Sequence, residues 1–332
     1  MSRNKDTDYL SLSARIRAME NRLLTRERME RMIDAKDHAE AAKVLSECGY
    51  GEMTELTGSS LEAMLNRAQS EVFRDLGSAV PDANLLDVFR IKYDYHNAKV
   101  LVKANALGSD PLRLLMGGGR YEPVDLLENW QKEDLRAYSQ SFRDAAARAR
   151  EALAGTGDPQ LCDFVLDRAC YGELTAAAKA TGSKFVQGYV ALMIDVINLR
   201  CAVRAARLNK GGEFLMQVLI PGGSVDVDRV ARTKGDDLGH LFSVGPLAEA
   251  AALGAAVSAP GSGSLTAFER ACDNAVTAYM AEAKRIPFGE QPVVGYLYAR
   301  EAELTAIRII MSGRMAGLNG DTIRERLRDS YV

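Results

Sequence analysis

Histidine, tryptophan and cysteine are scarce in this chain, and the shortage narrows what it can do. Among 332 residues there are 3 His, 1 Trp and 5 Cys. His38, His96 and His240 stand far apart without metal-ligand spacing, so they read as surface or capping residues rather than a metal centre or a general base. The cysteines, at positions 48, 162, 170, 201 and 272, are odd in number and form no Cys-x-x-Cys pair. That excludes a zinc ribbon and a disulfide framework, and it suits a reducing compartment. Trp130 and the dispersed tyrosines build no stacking platform for bases, and a net charge of -3 lacks the basic surplus of a general nucleic-acid binder. Long apolar runs are missing too: the least polar stretch, 241–260, is interrupted by Pro246, Glu249 and Gly254. The first thirty residues are dense in charge and carry no apolar core of a secretory leader, so no signal peptide is expected. Nucleophile-elbow, Walker, dinucleotide-binding and His-Glu-x-x-His patterns do not occur.

What the chain does have is an internal repeat of about one hundred residues. Its central copy runs Asp167-Arg168-Ala169, a turn at Thr181-Gly182, then Asp195-Val196-Ile197-Asn198-Leu199-Arg200. Upstream the same order reads Asn66-Arg67-Ala68, a turn at Val80-Pro81, then Asp94-Tyr95-His96-Asn97-Ala98-Lys99. Downstream it reads Glu269-Arg270-Ala271, a turn around Ile286-Pro287, then Glu303-Leu304-Thr305-Ala306-Ile307-Arg308. Val186, Val190, Met193, Ile197 and Cys201 recur at helical and not at strand spacing, and the equivalent arms predict helices over 85–107, 185–208 and 293–317. Each midpoint carries turn chemistry, so each copy is expected to be a helical hairpin with Arg67 facing Asp94, Arg168 facing Asp195 and Arg270 facing Glu303. Such pairs are either register-setting and partly buried or surface decoration.

The expected fold is therefore all-α, in three similar modules: lead-in helices with a first module over 1–119, a second over 120–223 and a third over 224–332. Tyr9, Leu12, Ile16, Met19 and Leu23 make a narrow apolar seam on an opening helix. Thr25 and Asp37 read as N-caps of the next two helices, and Ser59-Ser60 as the cap of the first arm. Leu114-Leu115-Met116-Gly117-Gly118-Gly119 invites comparison with a phosphate loop, but no Lys-Ser/Thr follows it and no strand precedes it. The second copy carries Val218-Leu219-Ile220-Pro221-Gly222-Gly223 at the same place, which makes both segments structural turns between modules; the third shortens to Leu318-Asn319-Gly320-Asp321. Asp236-Asp237 lacks a third acid for a metal-dependent lyase and reads as a helix cap. No catalytic, cofactor-binding or metal-binding residue is assigned, and a protein partner is expected.

With these segments in view, the chain resembles the C subunit of bacterial and archaeal V-type (A/V-type) ATPases, the family of the d subunit of eukaryotic V-ATPases. The likeness rests on the opening Asp8-Tyr9-Leu10-Ser11-Leu12-Ser13-Ala14-Arg15-Ile16-Arg17-Ala18-Met19-Glu20, on Asp94 through Lys99 with Lys103-Ala104, on Ile194 through Arg200, on Phe214 through Gly223, and on Tyr298 through Glu303 with Ile307-Arg308. Ala306 departs from the pattern, since the other copies carry Asn97 and Asn198 there, and the 248–259 segment is unusually rich in alanine. The resemblance implies a pseudo-threefold funnel at the cytoplasmic face of the membrane, without nucleotide, metal or catalysis, monomeric when isolated. It implies the D and F shaft subunits and the membrane rotor ring as partners in ion (H+ or Na+) transport or ATP synthesis. A generic helical scaffold and an all-α metal-dependent lyase are the alternatives.

Overall fold

The computed structural model describes residues 5–53 and 55–332. About 72% of the protein is helical, and no strand occurs among the described residues. The expected all-α class is observed. In chain order the helices are α1 (Leu10–Glu20), α2 (Arg26–Asp34), α3 (His38–Glu47), α4 (Gly58–Gly77), α5 (Ala83–Leu107), α6 (Pro123–Gln131), α7 (Gln140–Thr156) and α8 (Pro159–Ala180). They continue as α9 (Lys184–Arg207), α10 (Gly212–Val218), α11 (Val227–Arg232), α12 (Leu238–Leu241), α13 (Ala248–Ala256), α14 (Thr266–Ala281), α15 (Glu290–Met315) and α16 (Gly320–Arg326).

Local chemistry sets many of these boundaries. The Thr25 side chain accepts from the Arg28 N–H and the Asp37 side chain from that of Glu40, so both anticipated caps hold their helices. At the start of α4 the cap is Thr57 rather than Ser59 or Ser60: the Thr57 hydroxyl accepts from Ser60 N, and Ser60 reciprocates on the Thr57 N–H. The three turns fall where proline, glycine and threonine placed them, with Gly182 at φ 68° between α8 and α9. Helix α1 is shorter than its apolar seam suggested. It is preceded by a 3-10 turn at 6–9 and ends at Glu20, although Leu23 and Leu24 beyond it are buried.

By packing, the chain divides into two compact units: Met1–Pro81 with Phe242–Val257 and Gly261–Val332, and Asp82–Leu241 with Ser258–Pro260. This division does not follow the tandem segments 1–119, 120–223 and 224–332, which describe repetition rather than compactness. The first boundary lies in the turn between α4 and α5. The reason is visible inside the units, where the long second arm of a repeat packs on the helices that come after it: α5 lies against α6, α7 and α8, and α9 against α10 and α11. In the other unit α15 lies against α2, α3 and α4. Long arms used this way are buried on more than one face, and α5 carries Phe89, Ile91, Tyr95, Ala98 and Val102 inward around most of its circumference. Helix α9 is apolar and long enough to cross a bilayer by composition, but most of that stretch is buried within its unit.

The core around α15 is drawn from Leu24, Met32, Ile33, Leu45, Leu61, Leu65, Ile307, Ile310, Met311 and Ile323. Ile307 is 0% exposed, whereas Leu208 at the end of α9 is 67% exposed. Chemical denaturation should therefore find Ile307→Ala destabilised by about 2–5 kcal/mol and Leu208→Ala within about 0.5 kcal/mol of the parent.

Candidate functional site

Asp94, Asn97, Asp195 and Asn198 are each at or near full burial, at positions where a helix could carry apolar side chains. Burying a carboxylate demands donors, and each of these acids finds them in the chain that follows its own helix. On α5 the Asn97 side chain pairs both ways with the backbone of Met116: Nδ2 donates to the carbonyl at 2.9 Å, and Oδ1 accepts from the N–H at 2.8 Å. One turn earlier, Asp94 Oδ1 accepts from the N–H groups of Arg120 and Tyr121 at 2.8 and 3.3 Å, and Oδ2 accepts from Arg120 Nε at 2.6 Å.

The second repeat copies this arrangement residue for residue, with a serine hydroxyl where the first has the Arg120 guanidinium. Asn198 pairs both ways with Ile220 at 2.8 Å, while Asp195 accepts from the N–H groups of Ser224 and Val225 at 2.9 and 3.3 Å and from the Ser224 hydroxyl. The two glycine segments are thus the partners of two Asp-x-x-Asn clasps, in the register that their sequence match implied. Their last glycines are required by closeness: a Cβ on Gly119 would stand 2.4 Å from Asp94 Oδ1, and one on Gly223 2.1 Å from Asp195 Oδ1. Among the described residues no group of three or more His, Cys, Asp or Glu is disposed to hold a metal.

The anticipated hairpin pairs are replaced by these local ones. Arg168 does not meet Asp195; its guanidinium donates to the carbonyls of Met216, Gln217 and Leu219 and so caps the end of α10. Arg67 is exposed, while Asp94 has Arg120. Glu303 pairs with Arg300 at 2.6 Å and accepts from the Leu24 N–H at 2.8 Å. Arg270 lines a cavity of about 520 Å³ with Arg26, Arg324 and Arg328. The last three each bridge a carboxylate, Glu30 for Arg26 and Arg324 and Asp273 for Arg328, which leaves this cavity poorly suited to a free anion. The residues missed by sequence reasoning are Arg120, Glu173, Leu24 and the two asparagines as clamps. The signal for the asparagines was present: Asp-x-x-Asn recurs at one helical turn, with a Gly-Gly pair at a like distance beyond it.

A comparison with protein families bears directly on this repeated register. A model described as "ATP synthase (C/AC39) subunit" matches residues 12–326, which span both clasps and the Glu303 helix. The chain belongs to this family. Relatives within the C/AC39 family align end to end. The C subunit of the V-type sodium ATPase of Enterococcus hirae is 21% identical over 98% of this chain and 99% of its own. The C subunit of the V-type ATP synthase of Deinococcus radiodurans is 26% identical over 97% and 91%, and that of Thermus thermophilus 24% identical over 96% and 98%.

Electrostatically, the clasp of this C/AC39 chain on α5 is the richest. Arg120 Nη1 also reaches Glu173 on α8 at 2.8 Å, and the Tyr95 hydroxyl donates to the other Glu173 oxygen at 2.9 Å. Burial works most strongly against the charge on Glu173, yet the hydrogen bond and charge of Arg120, together with the hydrogen bonds of Ser139 and Tyr95, outweigh it and draw that pKa down. At Asp94 burial wins over the Arg120 guanidinium and lifts the carboxyl from 3.8 to about 6. The folded form then binds a proton more tightly than the unfolded chain, so this group's contribution is fully present below pH 3.8 and falls as pH rises through 6. Equilibrium unfolding of the parent and of Asp94→Asn at pH 4 and pH 7 should show the parent losing up to about 3 kcal/mol relative to the variant on going to the higher pH. Gly223→Ala and Gly119→Ala should each cost about 1–3 kcal/mol, while Gly172→Ala, where a Cβ meets nothing within 4 Å inside α8, should be neutral or stabilising by up to about 1 kcal/mol.

Proposed function

We propose that this chain is a non-catalytic central-stalk adaptor of a rotary V-type ATPase or ATP synthase, coupling the D–F shaft to the membrane rotor ring so that torque passes between them during ion (H+ or Na+) transport. The observation that carries this reading is the end-to-end likeness: the family model covers residues 12–326, and the relatives named as C subunits of such complexes align over nearly their whole length. In this reading the three repeats form the pseudo-threefold funnel, peripheral at the cytoplasmic face through the ring, with the shaft held in the interior.

The clasps suit that work. An adaptor under torque must resist shear where one repeat passes to the next, and each such joint here is pinned by a buried carboxylate on a helix of more than twenty residues. Breaking one would strand a buried charge, a cost of about 3–5 kcal/mol, which makes the joint stiff against small loads. Close packing of the surrounding helices adds to the stiffness. Chemistry is delegated elsewhere in this reading, since a transmitting part needs no convergent polar site.

The test is titration of purified protein with purified D–F complex and, separately, with ATP, both by calorimetry. Saturable D–F binding with a Kd of about 10 µM or tighter, weakening as salt rises, and no heat from ATP are expected. Lack of shaft binding in that range, or ATP binding with turnover, would overturn the proposal.

A further inference from the structure

Glu303 marks a third clasp whose other half comes from the opposite end of the chain. In the first two, the carboxylate and its first backbone donor are 26 and 29 residues apart; in the third, Glu303 and the Leu24 N–H are 279 apart. The three can be aligned through the helix that follows the donor. Tyr121 N and Val225 N, the second donors to Asp94 and Asp195, each lie one residue before the N-cap of the next helix, Glu122 of α6 and Asp226 of α11. Leu24 lies one residue before Thr25, the N-cap of α2. The same backbone position is therefore captured by the same helical site three times.

From this equivalence we infer that α2 and α3 form a closing strap: they supply the downstream half of the third clasp, are latched on α15 by Glu303, and can open while the clasps of α5 and α9 stay shut. Differences between the clasps explain why the third is the one that opens. Asn97 and Asn198 each add two backbone hydrogen bonds to their loops, and Ala306 stands at that position on α15 with none to give. Glu303 holds the strap backbone through one N–H where Asp94 and Asp195 each hold two. Its other oxygen is occupied by Arg300, which also donates to the Tyr50 hydroxyl at 2.9 Å and lies over the Tyr50 ring, so the far end of the strap segment is tied to the same latch. The longer glutamate side chain fits this task. It reaches the backbone of a segment that is not delivered by a loop from its own helix.

The experiment is hydrogen–deuterium exchange of the full chain, resolved by peptide, in the parent, Glu303→Gln and Asp195→Asn. In Glu303→Gln, amides of residues 26–47 should exchange about ten-fold faster or more while 123–131 and 227–232 keep the parent's rates; Asp195→Asn should accelerate 227–232 and leave 26–47 alone. The parent in sub-denaturing urea should likewise open 26–47 before α4 and α15, a readout that stands if Glu303→Gln fails to fold. Unchanged exchange over 26–47 in Glu303→Gln, or opening of 26–47 only together with α4 and α15, would overturn the strap.

Discussion

A carboxylate taken out of water must be met by donors, and in this protein the donors are the backbone of the segment that begins the next group of helices. Everything else about the arrangement follows from that demand. The acid sits mid-helix because only a helix interior is buried enough to need it satisfied, and the captured loop must come within hydrogen-bond reach along several residues, which explains a glycine with no room for a Cβ at both sites. The interaction is local in direction and binary in effect: either the loop docks and all acceptors are used, or a buried charge is left bare.

This makes the joint, rather than the hairpin, the structural unit. Salt bridges from Lys99 to Asp167 at 2.6 Å and from Lys103 to Asp163 at 2.7 Å continue the contact of α5 with α8 beyond the clasp, and Tyr95 packs edge to face with Phe142 on its other side. These surface-facing bridges contribute little individually. Their role is geometric, since they fix the rotation of α5 about its own axis once the clasp has fixed its height. The same division of labour holds around α15, where Arg308 meets Glu62 of α4 at 2.8 Å above the apolar core. Joints that are stiff in this way would suit the adaptor role proposed above.

The helices and their turns were legible because period, caps and breakers are local signals. Val186 to Cys201 could lie on one face only of a helix, and Pro81 and Gly182 could sit only where helices end. The repeat itself was legible too, including the match of the two glycine segments. The partners of the acids were not. Sequence gives which residues recur but not which way a hairpin rotates, and a rotation of α9 decides whether Asp195 faces Arg168 or the Ser224 backbone. Backbone donors leave no trace in side-chain identity, so opposite charges alone pointed to arginines that in fact cap carbonyls or face solvent. Arg120 was hidden for a similar reason, since it stands in the first captured loop where the second has Ser224, and only geometry reveals the shared position.

Acid and amide on one turn of a long helix act, in this view, as a single clamp on the loop beyond it. A double-mutant cycle in equilibrium unfolding, with Asp195→Asn, Asn198→Ala and the pair, measures that coupling. If both side chains hold one loop, losing either should release it for both, and the two losses should fall short of additivity by more than about 1 kcal/mol. Losses that add within about 0.5 kcal/mol would mean that the two residues act independently and that the clasp is not a unit.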